Sequence, residues 1–289
     1  MVVTDPAFND IVREFYHDKA RQLADDGLLS NDFWQKNKDL VFSVCDNGAM
    51  YDSFLVHGKG VVFDAQMVGF LYAQSRALVA GRYISAEFPF AVHAKLVTAF
   101  VRQAPGLDAG PLAIIEQTLL ERGASEAFVT GMTADPDFIR RERTLFAQAM
   151  YFLVMHERCH VALDHRARRG RIKQLDDAAR TTAEQQMEFE ADRCALDIIN
   201  ADESRYDNSP IAYFGVLMTV ATQSIVANHP ELPAQTSHPS PGARISAATD
   251  SVLAYIAGQD SDIAPYYDAT VRGTADYFLG LLAELRAHD

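Results

Sequence analysis

The stretch MYFLVMHERCHVALDH, residues 150–165, decides how the chain is read. Six mostly apolar residues lead into His156, Glu157 and His160, in the order His-Glu-x-x-His. On an α-helix, residues four apart stack one above the other, about 6 Å along the axis. His156 and His160 then present both imidazoles to one point in space. Glu157 is turned about 100° from His156 and about 60° from His160, so it borders the same face. Two imidazole nitrogens suit zinc, and a glutamate so placed reaches a zinc-bound water without being a ligand itself. The pentapeptide also arises by chance in helical core segments, so a third ligand has to be found.

Working outward, the helix begins near Asp135 or Asp137 and runs on to His165. A third histidine six residues after His160 is excluded. Arg166 stands there, and Leu163 stands where the accompanying glycine belongs. A second helix, Asp176 to Asn200, carries TTAEQQMEFEADRCALDII. In it Glu188 and Asp192 are four apart and share a face, which Glu184 extends by a turn. Glu188 is the candidate third ligand. Asp192 is placed to accept a hydrogen bond from the outer nitrogen of a ligand histidine, which fixes its tautomer. Glu190 points about 160° away and fits less well. By itself the stripe reads as a solvated acidic face; paired with the histidine helix it completes a site. The basic run from His165 to Lys173 reads first as cations at a helix C-terminus, with a docking patch as the alternative.

Composition limits the classes open to the chain. At 289 residues it can bury a full core, and a formal charge of −13 argues against nucleic acid and anionic membranes as partners. The three cysteines, Cys45, Cys159 and Cys194, are odd in number and widely spaced, which predicts no disulfide framework and a cytoplasmic setting. Cys159 reads as a small buried core residue. The first residues show neither the basic nor the apolar region of a signal peptide. Residues 210–227, PIAYFGVLMTVATQSIVA, are apolar, but Thr219, Thr222, Gln223 and Ser224 make them a buried helix rather than a membrane span.

The first quarter is different in character. Residues 6–29 form an amphipathic helix, and LVFSVC, SFLV and GVVF between 40 and 63 are β-like runs, with HGKG as a hairpin turn between the last two. Helical patterning returns from Ala65 to Gly81 and from Pro111 to Gly123, and one or two helices close the chain. The expected fold is mainly α (α+β): one domain over 1–289, with helices and a small sheet in 1–130 and the helical, metal-binding part in 131–289.

His-Glu-Arg-Cys-His followed by Glu188-Phe-Glu-Ala-Asp192 resembles the gluzincin pattern of zinc peptidases. It is similar above all to the HtpX-type and CAAX-prenyl-protease-type metallopeptidases. A third stretch, TSHPSPGARI at 236–245, is similar to their Ser/Thr-His-Pro segment, with Arg244 six residues past His238. A second resemblance is to the soluble Lit-type phage-exclusion peptidases, of similar length and without membrane helices. The gluzincin resemblance implies Zn2+ held by His156, His160 and Glu188, Glu157 as general base and Asp192 in support, and either resemblance implies a peptide or protein substrate. For the oxyanion donor, His238 is the candidate, with His229 and Tyr206 behind it, and a peptide lying along the sheet edge would add a strand. Two readings compete. One is a non-catalytic binding or regulatory protein whose zinc is closed off by a fourth ligand such as Cys159 or His165. The other has no metal, and the acidic stripe is salt-bridged to the run 165–173.

Overall fold

A computed structural model describes residues 6–45, 53–56, 60–85, 87–101, 111–203, 213, 215–220, 238–258 and 264–287. Helices dominate. In chain order they are α1 (Pro6–Asp25), α2 (Asn31–Asn37), α3 (Ala65–Gly81), α4 (Phe88–Val101), α5 (Pro111–Glu121) and α6 (Glu126–Ala134). There follow α7 (Pro136–Ala162), α8 (His165–Ile172), α9 (Asp177–Glu203), α10 (Pro241–Ala257) and α11 (Ala264–Ala287). One small sheet, β1 (Val41–Cys45), β2 (Ser53–Val56) and β3 (Gly60–Asp64), lies between α2 and α3. The mainly α chain with a small N-terminal sheet is therefore the fold the patterning predicts.

The strand order is β1-β3-β2. β2 and β3 pair antiparallel, Val56 opposite Gly60, while β1 runs parallel to β3 with Val41 opposite Gly60. The residues of the expected turn, 57–59, lie outside the described residues. Phe42 and Phe63 stack across the pair, and Asp64 ends β3 by capping α3, accepting from the backbone N–H of Gln66 and Met67.

The long helix α7 is the axis of the molecule. It starts where the sequence predicts, with Asp135 capping the N–H of Asp137 and proline in the first turn. From Ala149 to Cys159 every residue is buried, including Phe152, Leu153, Val154 and Met155 at 0 % exposure. It packs against α3 on one side and α9 on another. The helical residues 215–220 also cross it closely. A Cβ on Gly215 would come within 2.7 Å of Gln148 Cβ, so only glycine permits the approach. Among the described residues no helix is long and apolar enough to cross a membrane.

Two expectations need correction. α7 does not run on to His165. It ends at Ala162, and Asp164 adopts a left-handed conformation (φ 55°). Lys36 holds that break, donating to the Ala162 carbonyl at 2.9 Å and to Asp164 at 3.0 Å. The basic run is thus a separate helix, α8, rather than the end of α7. The cysteines also differ from expectation, because Cys159 on α7 is disulfide-bonded to Cys194 on α9, leaving Cys45 free and exposed. Sequence spacing conceals that pairing, since residues 35 apart in the chain come together only when α7 and α9 pack. The expectation of a cytoplasmic setting loses the support it drew from unpaired cysteines.

Candidate metal centre

Three helices deliver the site. α7 carries His156, Glu157 and His160; α9, packed beside it, carries Glu188 and Asp192; the segment leading into α10 carries His238, with Arg244 in that helix's first turn. Ser240 caps α10, accepting from the Ala243 N–H, and so sets where His238 sits relative to Arg244. His156, Glu157, Glu188, Asp192 and Arg244 are all buried. A polar cluster this deep needs partners for every charge.

The three expected ligand atoms converge. His156 Nε2 lies 2.9 Å from His160 Nε2 and 3.4 Å from Glu188 Oε2, and His160 Nε2 lies 3.6 Å from the same oxygen. Among the described residues these three form a group whose ligand atoms all lie within 4.8 Å of one another. Tetrahedral zinc, with bonds of about 2.0–2.2 Å, holds its ligand atoms roughly 3.3 Å apart. The triangle has those dimensions. Its chemistry fits as well, because two imidazole lone pairs at 2.9 Å repel unless a proton or a cation lies between them.

Each donor is gripped from behind. His156 Nδ1 is 2.9 Å from Asp192 Oδ1, with the oxygen off the N–H axis, so the contact is ionic rather than an aligned hydrogen bond. Arg244 forks onto Asp192, Nε to Oδ2 at 2.9 Å and Nη2 to Oδ1 at 2.7 Å. Glu188 gives its other oxygen, Oε1, to Arg169 Nη2 at 2.9 Å. His160 Nδ1 meets His165 Nδ1 at 2.8 Å, and His165 Nε2 is 3.2 Å from Glu190 Oε2. Arg168 pairs with both oxygens of Glu190.

These contacts set the charges. Burial pushes His156 down, but Asp192 and Glu188 outweigh it and lift the imidazole to about 10. For Asp192 burial raises the carboxyl; Arg244 and His156 overcome that and hold it at about 2. Glu188 is likewise opposed by burial, yet the two histidines keep it well below the usual carboxylate range. His165 goes the other way: burial first, then the neighbouring His160, depress it to about 4. The site therefore holds ionised carboxylates, a protonated His156 and a neutral His165 at pH 7.

The other expected residues fall as follows. Glu157 is 7 % exposed, on the turn between the two histidines. His238 Nε2 lies 3.7 Å from Glu188 Oε2, at the rim of the triangle. His229 and Tyr206 lie outside the described residues. Arg158 points from the opposite side of α7, stacking 4.8 Å over Phe42 and donating to the Asn37 carbonyl. The sheet thus meets α7 on the face away from His156. Sequence reasoning names two contributors without their partners, Arg244 by its spacing and His165 as a candidate fourth ligand, and passes over Arg169, which is submerged in the basic run.

A helical protein with a buried His/Glu site across two packed helices is compatible with a zinc centre, and comparison narrows the class. The family model described as Peptidase U49, the Lit-like metallopeptidase family, matches residues 130–261. That span, a little under half of the chain, contains α7 to α10 and every residue of the triangle. It points to a peptidase. No curated protein and no solved structure is matched.

Proposed function

We propose that the chain is a zinc-dependent metallopeptidase in which His156, His160 and Glu188 hold the ion and Glu157 is the general base. The observation that carries this reading is the triangle of Nε2, Nε2 and Oε2 inside the segment matched by a peptidase family. A bound zinc ion supplies a Lewis acid for the scissile carbonyl and brings the pKa of water to roughly 7. Glu157, on the same face as the histidines, takes the proton of the attacking water and returns it to the leaving amine. His238, at the rim, is placed to donate to the oxyanion of the tetrahedral intermediate. Asp192 and Arg244 hold His156 in register. The His-Glu-x-x-His and Glu-x-x-x-Asp order makes the gluzincin type our reading of the site, and the Lit-type relatives are favoured over the membrane-bound ones by the family match.

A non-catalytic zinc protein would need a fourth ligand to close the site. Cys159 is engaged in a disulfide, and His165 turns its Nδ1 to the outer nitrogen of His160, so neither named candidate serves. A metal-free reading finds partial support in the pairs Arg169–Glu188 and Arg168–Glu190. Arg169, however, occupies Oε1 and leaves Oε2 facing the two histidines. The two arrangements are compatible.

The test is a peptide-library digest with and without chelator, run beside metal analysis. Wild type should take up one zinc and cleave only without chelator. Glu157→Gln should keep the zinc and lose about 10²–10⁴-fold in rate. Cleavage indifferent to both chelator and Glu157→Gln would sink the reading, as would purified protein that takes up no zinc.

A further inference from the structure

α8 is a helix of mostly exposed charge, yet its first residue, His165, is 1 % exposed. The dipole argument for a basic run explains the arginines but gives no reason to bury an imidazole. The ring sits edge-on to His160, centroids 4.8 Å apart and planes 76° apart, with the two Nδ1 atoms at 2.8 Å. Its other nitrogen faces Glu190, whose carboxylate is fixed by Arg168 on both oxygens and by Gln186 on one.

The protons on this line are fixed once His160 Nε2 meets the metal. A nitrogen that meets a cation carries no hydrogen, so His160 keeps its hydrogen on Nδ1, 2.8 Å from His165 Nδ1. His165 Nδ1 then accepts, and its own hydrogen lies on Nε2, 3.2 Å from the Glu190 carboxylate, which only accepts. His160 Nε2 itself lies 2.9 Å from His156 Nε2 and 3.6 Å from Glu188 Oε2. We propose that Glu190 and His165 are positioning residues that hold His160 as its Nδ1–H tautomer and so aim its Nε2 lone pair into the metal site. The proposal rests on the zinc reading above and extends it to how the second histidine is prepared. With this line broken, His160 is free to carry its hydrogen on Nε2, inside the site, where a metal ion would have to displace it. The α9 stripe then has two uses: Asp192 directs one histidine, and Glu190, pointing elsewhere, directs the other through an intermediate ring.

The experiment uses the full chain, zinc titration and ¹⁵N-histidine NMR. His165→Ala and Glu190→Ala should each bind zinc about 10–100-fold more weakly, with unchanged circular dichroism. Glu190→Gln should stay within about threefold of wild type, because its amide oxygen still accepts from His165. The His165 ring should show a protonated Nε2 and a bare Nδ1. Zinc affinity in both alanine variants within threefold of wild type overturns the proposal, as does a His165 ring protonated on Nδ1. If His165→Ala does not fold, Glu190→Ala, at a side chain 30 % exposed, decides. If wild type itself takes up no zinc, the metallopeptidase reading fails, and the His165 tautomer in the metal-free chain alone decides whether the relay exists.

Discussion

At the scale of single residues, the fork of Arg244 on Asp192 is a deeply buried ion pair, the former 1 % exposed and the latter 4 %. Removing one partner of a buried pair leaves the other charge without compensation, at about 3–5 kcal/mol. Arg244→Ala should therefore lose about that much stability in denaturant unfolding. Arg244→Lys should recover only part, since an ammonium cannot fork. Asp192→Asn keeps the shape and removes the charge facing His156, so its expected effect is zinc affinity lower by about 10–100-fold. An Arg244→Ala variant as stable as wild type would show that Asp192 is satisfied some other way. The same residues mark how far the sequence can be read. His156, Glu157, His160, Glu188 and Asp192 are legible because helical spacing alone stacks them. Arg244 is legible as a spacing without a partner, since its carboxylate lies 52 positions earlier. His165 is legible only as a candidate fourth ligand; its place beside His160 is hidden, because a histidine inside a cationic run looks like one more surface charge until its burial is known.

At the scale of elements, α7 and α9 must stay in register for His156 and His160 to meet Glu188. The Cys159–Cys194 bond ties them beside His160 and one half-turn beyond Asp192, with Cα atoms 6.0 Å apart and a sequence separation of 35. Closing a loop of that length constrains the unfolded chain by about 2–4 kcal/mol. Reduction, or the double variant Cys159→Ala/Cys194→Ala, should lower the unfolding free energy from denaturant titration by that amount while zinc is retained, because the packed helices still deliver all three donors. A shift below about 1 kcal/mol would mean that packing alone aligns α7 and α9. The elements differ in legibility for physical reasons. α3, α5, α7 and α9 carry caps and prolines that mark their ends. α4, FPFAVHAKLVTAFV, is too uniformly apolar to show a period. α8 is helical although half of its residues are arginine, with Arg168 and Arg169 tied to the carboxylates of α9. The parallel pairing of β1 with β3, which puts β2 on the outside, is a long-range choice that no local pattern encodes.

At the scale of the whole molecule, the charges of the cluster make stability depend on pH, and under the proposed zinc reading metal binding depends on it in the opposite direction. Without metal, His156 is protonated up to about 10, against an ordinary value near 6.5. A group whose folded pKa is raised contributes stability that is complete below the unfolded value and is lost as pH climbs through the folded one. Asp192, held at about 2 against 3.8, contributes above 3.8 and loses its contribution as pH falls through about 2. The chelated protein should therefore be most stable between about pH 4 and 6.5 and weaken steadily from there toward 10. Zinc has to displace the proton of His156, so its affinity should rise up to about tenfold per pH unit across the neutral and alkaline range. The overall charge of −13 also weakens the fold at high pH, but it does so whether or not metal is bound. The informative quantity is thus the difference in melting temperature between zinc-loaded and chelated protein, followed from pH 6 to 9.5. It should widen with pH, because one curve loses the His156 contribution and the other replaces it. A difference that stays constant over that range would mean that no proton is displaced when zinc enters, and that His156 is not the nitrogen it meets.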